Sequence, residues 1–365
     1  MEAAGVQTLL MNLYRNIDRS VLQFDFLVHY KEDQNYDEEI RSLGGRLFKL
    51  SVREDYNLPR YRKELRSFFS EHSEYMVLHG HMETLSGIWM KEAMRANIPT
   101  RIAHSHTAGF GSGLNPKKCI REIFRYQYPR YATDLFACSK AAGDFMFPHR
   151  SYTLIPNAID TNRFRFSPDA RSDVRHEFGI SENTFVVGTI GRFHFQKNQA
   201  FLLDVFKELL TLQPDSLLIL VGDGDERPAL ERKAQDLGIS RRVLFTGKRP
   251  DANRMYQAFD VFVLPSFFEG LPLVGVEAQS AGCPSFFSST VSHEVGITDL
   301  ATFIPLDAGA NAWAKQLAQT KSLPNRSDYA AAVSDAGYDI HALAGKLTEF
   351  YLERFEAANS AKKAR

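Results

Sequence analysis

The chain has 365 residues, 44% hydrophobic and 24% charged, and Lys+Arg and Asp+Glu both number 44. That length fits two domains with a core each, and a formal net charge of zero removes any global electrostatic case for nucleic acid. Three cysteines, Cys119, Cys138 and Cys283, are too few and too far apart for a disulfide framework or a metal-ligand spacing. No apolar run approaches the ~18 residues of a membrane span, and the N-terminus lacks a signal-peptide apolar region, so a cytoplasmic protein is expected.

Short apolar runs alternate with helix-period stripes throughout, the pattern of parallel α/β units. The first half gives strand candidates at 24–28, 46–50, 75–79, 100–104, 134–138 and 153–155. The polar stretch 162–173 reads as a linker. Beyond it the strand candidates are 185–190, 217–221, 243–246, 261–264, 284–287 and 302–305. A last helix spans roughly 342–357, with a frayed tail at 360–365. The expected division is 1–162, 163–338 and a terminal segment 339–365.

His79 and His81 close the third strand candidate and His104 and His106 the fourth. A ring nitrogen there can hydrogen-bond a sugar or phosphate near neutral pH. A metal cluster is the rival reading, with no carboxylate clearly joining it. Two stretches mix basic and aromatic residues, Lys117–Arg130 and Arg60–Lys63 with Arg66, Phe68 and Phe69. Such faces dock on anionic headgroups or are solvated helices with a packed aromatic stripe; both readings stay open.

Phe185–Asn198 reads as a buried strand, a glycine turn and the start of an amphipathic helix. Gly191 allows close backbone approach, Arg192 offers a fork of donors and Lys197 a point charge. They stand at a strand's C-terminal end, where open α/β sheets bind ligands. Gly222 and Gly224 in Val221-Gly-Asp-Gly-Asp225 fit a turn passing close to a nucleotide, and this reading is favoured over a metal site at Asp223 and Asp225. Phe245–Arg249 ends another strand at the same edge. In Ser266–Glu277 a polar loop carries Glu269, Gly270 and Leu271, a helix opens around Pro272, and Glu277 falls about 8 Å along its axis at 1.5 Å per residue. Unpaired N–H groups at such a helix mouth attract an anion, and flanking carboxylates can accept bonds from sugar and ribose hydroxyls.

In this order and spacing, Gly191-Arg192…Lys197-Asn198, Val221-Gly-Asp-Gly224, Phe245-Thr-Gly247 and the Glu269/Glu277 module resemble the GT-B glycosyltransferases of family 4, especially those that build bacterial exopolysaccharide or capsule. His104-Ser-His106 and Gly337–His341 extend the resemblance over nearly the whole chain. It implies two Rossmann-like, doubly wound domains facing across a cleft: acceptor-binding first, nucleotide-sugar-binding second, the last helix returning to the first. It implies retaining, metal-independent transfer of a hexosyl or N-acetylhexosaminyl group from a nucleotide sugar, taken as UDP-linked, to a saccharide or lipid-linked acceptor. No other cofactor is implied, and a lipid-linked acceptor would place the enzyme at the inner face of the membrane. In that scheme Arg192, Lys197 and the helix mouth near Gly270 stabilise the departing diphosphate, with Gly191, Gly222, Gly224 and Leu271 around the nucleotide. Glu269 orients the sugar, Glu277 holds the ribose, and main chain near Lys248 and Arg249 holds the base. His106 contacts the reacting end, with His104 and Gly5 on the acceptor side. The alternatives are a GT-B-like epimerase or phosphorylase, or an inactive nucleotide-binding homologue; no G-x-G-x-x-G supports a dehydrogenase.

Glu2–Thr8 resembles the family's first glycine loop, which normally follows a central apolar strand. Ala4 stands where glycine is usual and Gln7 where an acidic residue is usual. The expectation is a first domain lacking that strand, and a natural reading frame extending upstream by roughly 10–20 residues with a Val/Ile/Leu-rich run.

Overall fold

A computed structural model describes residues 5–50, 57–82, 86–107, 109, 122, 125–321 and 323–363. The chain forms two compact units, residues 1–158 with 340–365 (unit 1) and 159–339 (unit 2). It contains the strands β1 Phe26–Val28, β2 Leu47–Lys49, β3 Val77–Gly80, β4 Thr100–Ser105, β5 Asp134–Ala137, β6 Thr153–Leu154, β7 Phe185–Ile190, β8 Ser216–Val221, β9 Val243–Gly247, β10 Val261–Leu264, β11 Ser285–Ser288 and β12 Ala301–Ile304. Each strand candidate of the sequence is present, with its bounds moved by no more than two residues.

In unit 2 all strands run parallel in the order β12-β11-β10-β7-β8-β9. Alternate residues serve opposite faces: Val186, Ile219, Phe262 and Leu264 enter one core, Val187, Leu218, Val261 and Val263 the other. Burial on both faces is what makes these strands continuous apolar runs. The order reverses between β7 and β10, so the loops after those two strands share the ligand-binding edge of a doubly wound sheet.

Unit 1 is built from the same parts but its strands fall into two parallel sheets, β1-β2 and β3-β4-β5-β6. One face is covered by α1 (Gly5–Asn16) and the terminal helix Ile340–Lys363, the other by α3 (Leu58–Glu71) and α4 (Ser86–Arg95); α2 is Asp37–Ser42. The terminal helix is tied into unit 1 by Leu343, Leu347 and Tyr351 in the core and by an ion pair from Arg354 to Asp134.

Three expectations need correction. The polar stretch 162–173 is not a linker. Thr161–Phe164 and Pro168–Glu177 are helices of unit 2, capped by Asp160 and Ser167, whose side chains accept from the amides of Arg163 and Ala170. Their short length and polar outer faces hid them. Of the tail, residues 360–363 continue the terminal helix and 364–365 lie outside the described residues. Gly5 opens helix α1 instead of lying in a loop; the residues before it lie outside the described set.

The aromatic residues of α3 are core residues: Tyr61, Phe68 and Phe69 are buried together with Leu65, and Arg66 pairs with Glu92 at 2.8 Å. They form no apolar docking face. Residues 117–121, 123 and 124 of the other basic stretch lie outside the described residues. Of the rest, Tyr128 is buried and Arg125 pairs with Glu122. Among the described residues no helix is long and apolar enough to cross a membrane.

Candidate active site

The loop after β7 and the loop after β10 are stitched together. Phe267 N–H donates to Gln196 O at 2.8 Å, the Gln196 side-chain amide donates to Phe268 O at 2.8 Å, and Asn198 Nδ2 donates to Pro265 O at 3.2 Å. Asn198 achieves this in a left-handed conformation (φ 54°), which Asn tolerates better than most residues. The stitching brings Lys197 Nζ to 2.6 Å from Glu269 Oε1, with both side chains mostly shielded. Ser266 Oγ donates to the same carboxylate oxygen at 3.1 Å. A cation and a carboxylate thus meet at the switch point of the sheet.

The helix Leu273–Ser280 starts just past this pair, with Pro272 as its N-cap. Gly270 is exposed and a Cβ there would meet nothing within 4 Å, so the helix mouth is open beside Glu269. Glu277 lies inside the helix, where Tyr256 Oη donates to its Oε2 at 2.7 Å. Burial raises the Glu277 pKa above the usual carboxylate value, while the Tyr256 bond and the charge of Arg163 pull it back down.

Other expected site residues take different positions. Arg192 is exposed and reaches Asp225 at 3.4 Å. Gly222 (φ 137°) and Gly224 are required by packing: a Cβ would fall 2.0 Å from Gly191 O and 2.2 Å from Phe193 O, respectively. The backbone they admit belongs to the neighbouring loop. Asp223 lies 3.6 Å from Arg227, so each aspartate of the D-x-D string faces an arginine, and the two join no metal-capable group among the described residues. Arg249 is committed to Asp251 and Glu177 at 2.8 and 2.9 Å, whereas Lys248 is exposed. That leaves main chain and Lys248 as the free groups of this turn, with Gly247 O already accepting from Gly222 N–H.

In unit 1 the histidines form one cluster. His79 Nε2 lies 3.1 Å from His104 Nδ1, and His81 Nδ1 lies 2.9 Å from His106 Nε2. The His104 and His106 rings stack at 4.2 Å, as strand alternation requires. Burial pushes all four pKa values down, His79 to about 3 and His106 to about 4. The imidazoles are therefore neutral at physiological pH, each able to donate through one nitrogen and accept through the other. His79, His81 and His104 each offer a nitrogen within 4.8 Å of the others, but neighbouring rings stack within 15–44° of parallel, so their in-plane lone pairs run alongside one another.

The family model described as Glycosyl transferases group 1 matches residues 170–332. EpsF of Bacillus subtilis strain 168, which its name gives as a glycosyltransferase, is 33% identical over 360 residues, 96% of this chain and 94% of its own. The chain belongs to the group 1 glycosyltransferases. The Escherichia coli UDP-Gal:alpha-D-GlcNAc-diphosphoundecaprenol alpha-1,3-galactosyltransferase is 26% identical over 300 residues, covering 78% of this glycosyltransferase and 76% of the relative. Among solved structures, Anabaena Alr3699/HepE in complex with UDP superposes with a TM-score of 0.77 at 19% identity, over 96% of this chain and 97% of that one. The fold is that of the GT-B glycosyltransferases, with Rossmann-like parallel sheets.

Several residues of this glycosyltransferase's site gave no local signal. Tyr256 sits in the helix Ala252–Ala258, 21 positions before Glu277, and Ser266 reads as an ordinary loop serine. Phe195, Phe267 and Phe268 are exposed at 63%, 37% and 57%, and the first two stack at 4.8 Å beside Lys197 and Glu269. Aromatics at strand ends read as core from sequence; their exposure depends on contacts made elsewhere.

Proposed function

We propose that this glycosyltransferase moves a hexosyl or N-acetylhexosaminyl group, with retention of anomeric configuration and without a metal, from a UDP-linked donor to a saccharide or lipid-linked acceptor in exopolysaccharide- or capsule-type glycan synthesis. The observation that carries it is the Lys197–Glu269 pair at the switch point beside an open helix mouth. Without donor, each neutralises the other. A diphosphate would draw Lys197 towards its oxygens, leaving Glu269 to accept from the sugar's hydroxyls. Lys197, Arg192 swung from its exposed pairing with Asp225, and the first amides of Leu273–Ser280 then stabilise charge developing on the leaving diphosphate. Glu277 is assigned the ribose, and main chain near Lys248 the base. His106, neutral and half-buried, is assigned a hydrogen bond to the reacting end of the donor. The UDP-Gal and diphosphoundecaprenol in one relative's name, and the UDP in the HepE complexes, support the donor and acceptor classes.

A thermal-shift screen against UDP-, GDP-, ADP- and dTDP-sugars tests the donor. A UDP-sugar at 100 times its Kd is expected to stabilise by about 2.7 kcal/mol; a response to GDP- or ADP-sugars alone would refute the base. The anomeric configuration of the product, read by NMR, tests retention. EDTA is expected to leave turnover intact, and a loss restored by Mn²⁺ would return Asp223 and Asp225, or the histidine cluster, to consideration as a metal site.

A further inference from the structure

Lys197 Nζ and Ser266 Oγ both reach the same oxygen of Glu269, Oε1, at 2.6 and 3.1 Å. The other oxygen, Oε2, accepts no hydrogen bond among the described residues. The two holds on Oε1 differ in kind. Lys197 carries a point charge on a flexible stem and is the group that a diphosphate attracts. Ser266 is fully buried, stands three positions before Glu269 in the same loop and offers a neutral hydroxyl. An arriving anion competes for the lysine and leaves the serine where it is.

The main chain around Ser266 is fixed without its hydroxyl. The Ser266 carbonyl accepts from Ser288 Oγ and, at 2.8 Å, from Thr290 Oγ1. At the other end of the loop, Glu269 O accepts from Ser292 N–H at 3.1 Å, and Glu269 pairs with Val291 in a parallel bridge. The end of β11 and the loop after it therefore hold the backbone on both sides of the glutamate. Backbone bonds place the Cα of Glu269 and leave its carboxylate free to turn. A glutamate keeps three side-chain torsions, the last of them broad. Among the described residues, once Lys197 has turned to a diphosphate, Ser266 is the group still bonded to the Glu269 carboxylate.

We infer that Ser266 is a positioning residue of the transfer reaction. It holds Oε1 while Lys197 passes from the carboxylate to the diphosphate, and so keeps Oε2 turned to the donor sugar as the open acceptor for a hydroxyl. The inference rests on the reading of Glu269 as the group that orients the sugar. It gives the buried hydroxyl of Ser266 a task that the fold does not need, because Ser288, Thr290 and Ser292 secure the loop through main-chain oxygens.

Crystal structures of Lys197→Ala and Lys197→Ala/Ser266→Ala, both without donor, report the carboxylate directly; the first stands in for a lysine already engaged elsewhere. In Lys197→Ala, Glu269 Oε1 is expected to remain on Ser266 Oγ. In the double variant the carboxylate is expected to turn away or spread over several rotamers, on an unchanged backbone. Release of UDP from UDP-glucose, UDP-galactose and UDP-N-acetylglucosamine, with water as the acceptor, supplies the kinetic half. For the sugar cleaved fastest, Ser266→Ala is expected to lower kcat roughly tenfold, short of the ~10²-fold that a 1 Å misplacement can cost. KM and the Kd for UDP are expected to stay within about twofold of wild type. In a Glu269→Ala background the same substitution is expected to change nothing, since the carboxylate through which it acts is gone. The inference is overturned by full turnover of Ser266→Ala, by an equal loss in both backgrounds, or by a carboxylate that keeps its place in the double variant. Should the wild-type protein cleave none of the three UDP-sugars, the donor reading fails, and the pair of crystal structures alone decides whether Ser266 holds Glu269.

Discussion

Lys197→Ala is expected to lower kcat by roughly 10²–10³, the scale of losing one well-aimed charge stabiliser at a leaving group. The lysine is the mostly shielded cation at the switch point, held 2.6 Å from Glu269 by loops that hydrogen-bond to each other. Its charge is therefore placed before the donor arrives. The substitution does two things: it removes a cation from the diphosphate and leaves Glu269 without its counter-charge. Glu269→Gln separates them, because the amide still accepts from Ser266 and from a sugar hydroxyl but no longer pairs with Lys197. A fall in kcat with little change in KM is expected. Since the two residues share one interaction, the double variant is expected to cost less than the sum of the single costs. Arg192→Ala is expected to fall in the range of Lys197→Ala, acting only in the donor complex because the free side chain extends to Asp225. Wild-type turnover from the Arg192/Lys197 double variant would refute the diphosphate assignment, and additive losses at Lys197 and Glu269 would mean that the pair does not act as a unit.

The central strands of unit 2 were legible because they are buried on both faces and so written as unbroken apolar runs; Leu217–Val221 and Val261–Leu264 need no partner to be recognised. Glu269, Lys197 and the glycine turns were legible as residue types at strand ends. Their mutual relations were not. Lys197 and Glu269 are 72 positions apart, and only the order β10-β7 makes their loops neighbours. Gly222 and Gly224 signalled a close approach correctly, but the partner is the backbone at Gly191 and Phe193, a fact fixed by the packing of one loop on another. The misread stretch 162–173 fails for a different reason. Its two short helices are held by Asp160 and Ser167 caps and by contacts to unit 2, and helices of this length gain little from their own propensity. The four histidines were visible in sequence; that they pair two by two, His79 with His104 and His81 with His106, depends on β3 lying beside β4.

Glu277→Gln is expected to weaken donor binding and, at the same time, to leave the protein as stable or more stable at pH 7. Burial raises the Glu277 pKa above its usual value. The folded state therefore holds a proton more readily than the unfolded chain. Between the unfolded value, near 4.3, and the raised folded value, stability falls as pH rises, and above that window the ionised carboxylate is a standing cost to the fold. The amide removes that cost and keeps an oxygen for Tyr256 Oη, now 2.7 Å from the carboxylate. What it loses is the charge on the bond to a ribose hydroxyl. Hydrogen bonds to charged groups contribute about 1.5–3 kcal/mol, so donor affinity should fall roughly 10- to 100-fold. That bond is present in the ground state and the transition state alike, so KM should rise while kcat stays near wild type. The same linkage predicts that donor affinity of the wild-type enzyme declines as pH falls through the raised pKa, and that the Gln variant lacks this dependence. Steady-state kinetics with melting curves from pH 5 to 8 would check both halves. A loss of kcat at unchanged KM would exchange the roles of Glu277 and Glu269, and a lower melting temperature for Glu277→Gln at pH 7 would show that the ionised carboxylate is already compensated within unit 2.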